Sequence, residues 1–400
     1  MKALGIIAEY NPFHNGHLYQ LNRAREVSQA DLVVVCQSGN FLQRGEPAIY
    51  DKWHRAKWAV QSGADLVLEL PLPFSIQSAD YFAQAGVRLL DQLGVDQLAF
   101  GVESGQLEDF QVGARFLVDH AEDFEFFLSQ SPREKSYHEL VMDWLASSDT
   151  TRLPDLSQPN NILAFTYIKA AYQAGLDFRF FPIKRIGANY HDDKVQPGGQ
   201  IASATAIRKK IYQGQAVQNY LPKPVHQAIT DLSPVKPEDF WPFIQYKVWN
   251  MAEAEMDKIY DMKPGLSQRF KKAVLQAKSL KDFISLTASR QLSHNRINRL
   301  ALYCLLDLYQ DQVAELNRIG PRYIRPLAFN SLGQAYLGQI KSSLALPLVT
   351  RLNQDSADEL ALDIKAGELY RLARVGDLPK QDFTRKPYMS IDKYGDRKYT

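Results

Sequence analysis

Short apolar, β-branched runs alternate with longer amphipathic segments through the first half of this 400-residue chain, and few folds accommodate that alternation. Ala3–Ala8, Leu32–Cys36, Leu66–Leu70, Gln97–Phe100 and Phe178–Ile183 have the composition of strands. Helical periodicity over His17–Ser28, Asp51–Gln61 and Ser78–Leu93 separates the first four, the pattern of βαβ units that build a parallel sheet. Leu32-Val33-Val34-Val35 lacks polar alternation, as a strand covered on both faces requires. The expectation is an α/β fold with a Rossmann-like parallel sheet.

A chain of this length exceeds what one hydrophobic core usually organises, so two domains are expected. Residues from about Leu107 to Leu145 are helical and polar in pattern, an insertion near 105–160 before the last strand. Ile162–Ala174 continues as a helix with Asn160 as its N-cap, and Ala202–Gln213 is the final helix of the layer. Pro222, Pro224, Pro234 and Pro237 then mark a boundary, dividing residues 1–220 from residues 221–400. Beyond it Val248–Tyr260, Leu266–Ala277, Arg296–Tyr309 and Ser356–Leu372 show helical spacing without a strand series, so a mainly α-helical second domain is expected. The only cysteines, Cys36 and Cys304, exclude a disulfide framework and a cysteine zinc cluster. Cys36, ending a buried strand, reads as core. No apolar stretch reaches membrane-spanning length, and Glu9 interrupts the run Leu4–Ala8, so a cytoplasmic setting without membrane attachment is expected.

The residues with most chemical potential follow the first strand: Asn11-Pro12-Phe13-His14-Asn15-Gly16-His17. A helix start offers unpaired N–H groups and the positive end of the dipole, a natural seat for phosphate. His14 and His17, three residues apart, share one side of a helical turn and are the candidate catalytic residues. Gly16 lets a ligand approach the backbone. The plainer alternative is a capped helix. A metal site is the weaker reading, because no nearby cysteine or carboxylate pair completes one, and phosphate-loop and dinucleotide glycine motifs are absent. Ser203, Thr205 and Arg208 form a second group that suits phosphate or, equally, an N-capped helix. Arg44 or Gln43, in the glycine-bounded loop Gly39–Pro47, suit a carboxylate or pyrophosphate; the alternative for Arg44 is an ion pair with Glu46 or Asp51.

The string His14-Asn15-Gly16-His17 resembles the HxGH signature of the nucleotidyltransferase-like superfamily, and Ile201–Arg208 resembles its second phosphate motif, with Ala202 and Ala204 departing from it. Ser38–Pro47, Asp65–Pro71, Ser157–Leu163 and Tyr190-His191-Asp192 resemble the bacterial tRNA(Met) cytidine acetate ligases more specifically. That resemblance implies a nucleotidyltransferase-type catalytic domain followed by a helical tRNA-binding one. It implies a ligase that activates acetate with ATP as acetyl-AMP, then acetylates N4 of the wobble cytidine in elongator tRNA(Met). The implied ATP site comprises Ile7, Ala8, Glu9, Tyr10, Asn11, Pro12, Phe13, His14, Asn15, Gly16, His17, Leu18, Tyr19 and Gln20, with Gly101, Asn160, Arg185, Ser203, Thr205 and Arg208. Magnesium would accompany the nucleotide, held mainly by phosphates; no resident metal and no obligate protein partner are implied.

Lys271, Lys272, Lys278, Lys281, Arg290, His294, Arg296 and Arg299 cluster in the helical half; Arg318, Arg322-Tyr323 and Arg325 follow, then a tail with Arg385-Lys386, Lys393 and Arg397-Lys398. Given the resemblance, Lys271, Lys272, Arg290, Arg296 and Arg299 are the expected tRNA contacts; otherwise such groups form a solvated surface. Two competing functions are a nucleotide-forming adenylyltransferase of the same superfamily and a non-catalytic RNA-binding or assembly protein.

Overall fold

The structure, a computed structural model, describes residues 1–132, 135, 137–147, 154–186, 200–374 and 381–390. Tyr190-His191-Asp192 and the tail cations Lys393, Arg397 and Lys398 lie outside them. Seven strands form one sheet: β1 (Ala3–Ala8), β2 (Leu32–Ser38), β3 (Leu66–Leu70), β4 (Gln97–Val102), β5 (Arg179–Lys184), β6 (Pro326–Phe329) and β7 (Tyr388–Met389), in the order β5-β4-β1-β2-β3-β6-β7. β1 to β5 pair in parallel, as the βαβ spacing predicts.

Both faces of this sheet are covered, which is why its strands read as unbroken apolar runs. Ala3, Leu32, Val34, Leu66 and Leu68 pack into one core layer; Leu4, Ile6, Val33, Val35 and Val67 pack into the opposite one. Helix Ala79–Gln92 lies so close to β1 that a Cβ on Gly5 would stand 2.6 Å from Leu90 Cδ1.

The C-terminal half is mainly helical, as expected, but it also contributes strands. β6 pairs antiparallel with β3, and β7 pairs parallel with β6, so residues after the proline-marked boundary extend the N-terminal sheet. A second apolar core gathers helices Trp241–Asn250, Leu266–Gln276, Leu280–Thr287 and His294–Leu306, and Phe41 and Leu72 from the first half join it. Val248–Tyr260 is not one helix. The helix Trp241–Asn250 stops where Met251 turns extended and buries its side chain, and a short helix restarts at Glu253. Among the described residues no helix is long and apolar enough to cross a membrane. Cys36 and Cys304 are buried free thiols, and burial pushes both thiol pKa values up.

Candidate active site

The chain lays β1, β2 and β3 side by side, then returns to place β4 on the other side of β1. That reversal is a topological switch point, where the strand ends leave a crevice at their carboxyl edge. β1 runs into the loop carrying His14, Gly16 and His17, and β4 ends at Gly101-Val102. These residues meet in a cleft of about 430 Å³, open mouth included, whose walls also include Tyr19, Gln20, Ile183, Lys184, Arg185, Ile186, Ile201 and Ala202.

The two histidines cap the helix they begin. His14 is the N-cap of helix Asn15–Ser28 in extended backbone. The Gly16 N–H donates to His14 Nδ1 at 3.0 Å, and the His14 N–H donates to His17 Nδ1 at 3.3 Å. Imidazoles here take the places that serine and glutamate usually fill in a capping box. The rings stack with centroids 3.7 Å apart. Gly16 is required for this fold-back, because a Cβ there would lie 2.8 Å from His14 Cε1.

This geometry sets the protonation of both rings. Burial, then the positive charges of Arg185 and Arg208, lower the His14 pKa to about 3. His17 is lowered well below its ordinary value by desolvation, His14 and Arg185. Both rings are therefore neutral near pH 7. With each Nδ1 accepting a backbone proton, each ring proton sits on Nε2. The cleft thus carries two neutral Nε2–H donors, a helix N-terminus and the Arg185 guanidinium, a donor set for anionic oxygens.

Arg185 is placed by a clamp on the other wall. The Glu103 carboxylate, just past β4, accepts from the backbone N–H of Asn160 at 3.2 Å and of Asn161 at 2.9 Å, and from Asn160 Nδ2 at 2.5 Å. Asn161 Oδ1 reciprocates by accepting the Glu103 N–H at 3.0 Å. Asn160 Oδ1 is thereby turned toward Arg185 Nη1, 3.5 Å away. Asn160 is not the N-cap of its helix. Gln158 holds that place and Pro159 the first turn, because proline fits where no N–H partner is needed. Glu103 is a positioning residue that no local motif announced; it lies 57 residues from Asn160 in sequence. Glu103→Ala is expected to raise the KM for the nucleotide the resemblance implies about tenfold or more, as roughly 1–3 kcal/mol of charge-assisted contact to the Asn160 turn is lost. Glu103→Gln, which keeps an acceptor, should fall between. An unchanged KM in both variants would show that Arg185 is held without the clamp.

Of the stretch Ile7–Gln20, the structure brings His14, Gly16, His17, Tyr19 and Gln20 to the cleft. The others build its frame. Tyr10 and Phe13 are buried against the His17 ring, at centroid distances of 4.9 and 5.7 Å. Asn11 Oδ1 accepts from the Ile49 N–H at 2.8 Å, and Asn15 Nδ2 donates to the Gln200 and Asn219 carbonyls at 2.9 Å. Glu9 Oε1 accepts the Gln43 N–H at 2.9 Å, tying β1 to the loop Gly39–Pro47. Ser203 caps helix Ala204–Tyr212 by accepting from the Ala206 N–H. Arg208 donates to the Asn11 carbonyl at 2.9 Å and to Thr205 Oγ1 at 3.2 Å. Arg208 therefore ties the start of this helix to the histidine loop, with Ser203 and Thr205 in the helix's first turn, while Ile201 and Ala202 line the cleft.

The family model of the HIGH nucleotidyl transferases matches residues 1–385. The chain belongs to this family. Among its relatives, a tRNA(Met) cytidine acetate ligase of Bacillus licheniformis is 38% identical over 386 residues, covering 92% of each chain. A tRNA(Met) cytidine acetate ligase of Listeria monocytogenes is 38% identical over 398 residues, covering 98% of this chain and 100% of its own. The fold matches crystal structures of Thermotoga maritima TmcAL at 31% identity: the apo form with a TM-score of 0.90 over 98% of this chain and all of that one, and the form bound to alpha-thio ATP with a TM-score of 0.88 over 97% and 99%.

The expected tRNA contacts are placed differently from one another. Arg296 forms a two-point ion pair with Asp261, both contacts 2.9 Å, and Arg299 Nη1 donates to the Gln43 carbonyl at 3.4 Å. Gly45 is wedged against that same helix, where a Cβ would meet Arg299 N at 2.4 Å. Arg299 thus props the loop Gly39–Pro47. Lys271 donates to the Trp249 carbonyl at 2.6 Å, while Lys272 and Arg290 are exposed. Asp51 caps helix Lys52–Gln61 through the His54 N–H and also faces the His54 ring and Arg385.

Proposed function

We propose that this chain is an ATP-dependent ligase that joins acetate to AMP, releasing pyrophosphate, and then acetylates N4 of the wobble cytidine in elongator tRNA(Met). The observation that carries the reading is the pair of Nε2–H donors at a helix start, set in the switch-point cleft of a chain whose full-length relatives bear the tRNA(Met) cytidine acetate ligase name. In the first step an acetate oxygen attacks the α-phosphorus, a new P–O bond forms, and the bond to the β-phosphate breaks with its electrons leaving on pyrophosphate. His14, His17, the helix N-terminus and Arg185 stabilise the charge that builds on the phosphoryl oxygens. In the second step the cytidine N4 attacks the acetyl carbonyl, loses a proton, and AMP departs with the electron pair of the broken C–O bond. An anticodon loop presents its base at less unstacking cost than a duplex.

Among the described residues no three histidine, cysteine or carboxylate side chains gather as a metal site. The cleft's nitrogen donors suit anions, so magnesium would be held by phosphate oxygens and water, neutralising their charge. Residues 221–400, with Lys271, Lys272, Arg290, Arg296 and Arg299, form the proposed tRNA-facing region, and residues 1–220 the nucleotide-binding one.

The test incubates the protein with ATP, radiolabelled acetate and tRNA, digests the RNA, and resolves its nucleosides. Label is expected in cytidine alone. Acetate-dependent pyrophosphate release with no label in cytidine of folded tRNA would defeat the second step. Release that requires a phosphorylated co-substrate would favour a nucleotide-forming adenylyltransferase.

A further inference from the structure

Between Asp261 and Asp282 the chain has six basic residues and no acidic one: Lys263, Arg269, Lys271, Lys272, Lys278 and Lys281. A run of that length with one sign of charge is unusual in a protein whose net charge is only +2. Arg269, Lys271 and Lys272 of this run lie on helix Leu266–Gln276, which packs beside helix Trp241–Asn250. The second helix buries Trp241, Ile244 and Val248 in the C-terminal core. Its opposite side carries Tyr246, 63% exposed, and Trp249, 56% exposed, one turn apart. Their centroids are 6.4 Å apart with the planes tilted by 50°, so neither ring stacks on the other. Leu275, 72% exposed on the basic helix, adds an apolar neighbour one turn from Lys272.

Two large rings left in water contribute little to folding, and their apolar faces are costly to hydrate. A basic stretch beside splayed aromatic faces has the composition of a site for unpaired nucleotides: bases stack on rings and lysines meet phosphates. A protein partner would more often meet a contiguous apolar patch with few lysines. The position also fits. Phe240, just before the aromatic helix, touches Phe41 at a centroid distance of 5.4 Å, in the loop whose Gln43 is held by Glu9 just past β1. Trp249 lies nine residues further on, about 13.5 Å along the helix at 1.5 Å per residue.

We propose that Tyr246 and Trp249, beside the helix that carries Lys271, Lys272 and Leu275, form a stacking platform for single-stranded nucleotides of the RNA substrate. The platform lies outside the adenylation cleft and rests on the reading that this substrate is a tRNA. It holds the RNA through base faces, which are sequence-tolerant, and leaves base selection to the cleft.

The test measures the Kd of the full chain for tRNA by filter binding. Trp249→Ala and Tyr246→Ala are each expected to weaken binding about fivefold or more, with Trp249→Phe close to the parent. Lys272→Ala should lower the salt dependence of binding by about one ion. Adding tRNA should quench tryptophan emission in the parent more than in Trp249→Phe. Acetate-dependent pyrophosphate exchange without tRNA reports separately on the adenylation reading: its absence in the parent would defeat that reading and leave the binding measurement standing. Kd values within about twofold of the parent for both alanine variants would overturn the platform. So would a change in oligomeric mass at constant tRNA affinity, which would assign the face to a second copy of the chain.

Discussion

His17→Ala is expected to lower acetate-dependent exchange of pyrophosphate into ATP by about 10²- to 10³-fold, the usual cost of removing one donor aimed at developing charge, while tRNA affinity stays near that of the parent. The size follows from how few donors the cleft offers and how firmly each is held. His17 Nδ1 is occupied by the His14 N–H, so its only ring proton sits on Nε2 of a residue that lines the cleft. His14→Ala should be as severe and should also lose a helix cap, about 1 kcal/mol of stability. The double variant should fall short of the product of the single effects, because both rings serve one anion. The pH profile separates this neutral-donor mechanism from an imidazolium one. With His14 lowered to about 3 and His17 also well below its ordinary value, exchange should show no histidine inflection near pH 6.5. Folding stability should respond instead. The unfolded chain takes up protons on these rings below about 6.5, while folded His14 resists until near pH 3 and folded His17 stays neutral well below its ordinary value. Their environment is therefore tolerated without penalty above 6.5 and costs stability progressively as pH falls. A rate that rises on acidification through 6.5 would mean that charged imidazoles do the work.

The parallel strands were legible because burial on both faces leaves no polar residue to blur the pattern, as in Leu32-Val33-Val34-Val35. The site motif was legible because its histidines, glycine and helix start are adjacent in sequence. What escaped notice is settled by partners far along the chain. Pro326–Phe329 is four residues long and becomes a strand only against β3, and Tyr388–Met389 only against β6. Glu103 carries no local signature, since its three donors begin 57 residues later. Asn160 has a good capping side chain, but Pro159 ahead of it already occupies the first turn, which moves the cap to Gln158. The capping alternative for His14 and His17 could be stated from their spacing, but not which backbone N–H each imidazole accepts, because imidazoles seldom fill both halves of a capping box.

Asp382→Ala is expected to destabilise the fold by about 3–5 kcal/mol, the cost of breaking a buried ion pair from one side. Lys52 Nζ lies 2.7 Å from Glu69 Oε1 and 2.7 Å from Asp382 Oδ1. Arg325 Nη1 lies 2.9 Å from Asp382 Oδ1 and 3.3 Å from Glu69 Oε2. All four side chains are at most 4% exposed, so two cations balance two carboxylates without water. This cluster joins helix Lys52–Gln61, β3, the residue before β6 and the short segment that leads into β7. It ties the two strands from the far end of the chain to the sheet. Removing Asp382 leaves two buried cations facing one carboxylate, and urea unfolding followed by circular dichroism should register a lower midpoint. A second substitution tests the packing from the other side. A Cβ on Gly367, inside helix Ala361–Leu372, would stand 2.2 Å from Asp382 Oδ2. Helix propensity alone predicts that Gly367→Ala stabilises by about 1 kcal/mol. The close approach of the carboxylate reverses that sign, because Asp382 must leave its cations to make room. A Gly367→Ala protein more stable than the parent would show that the C-terminal segment yields without loss, and that the ionic cluster does not fix it to the sheet.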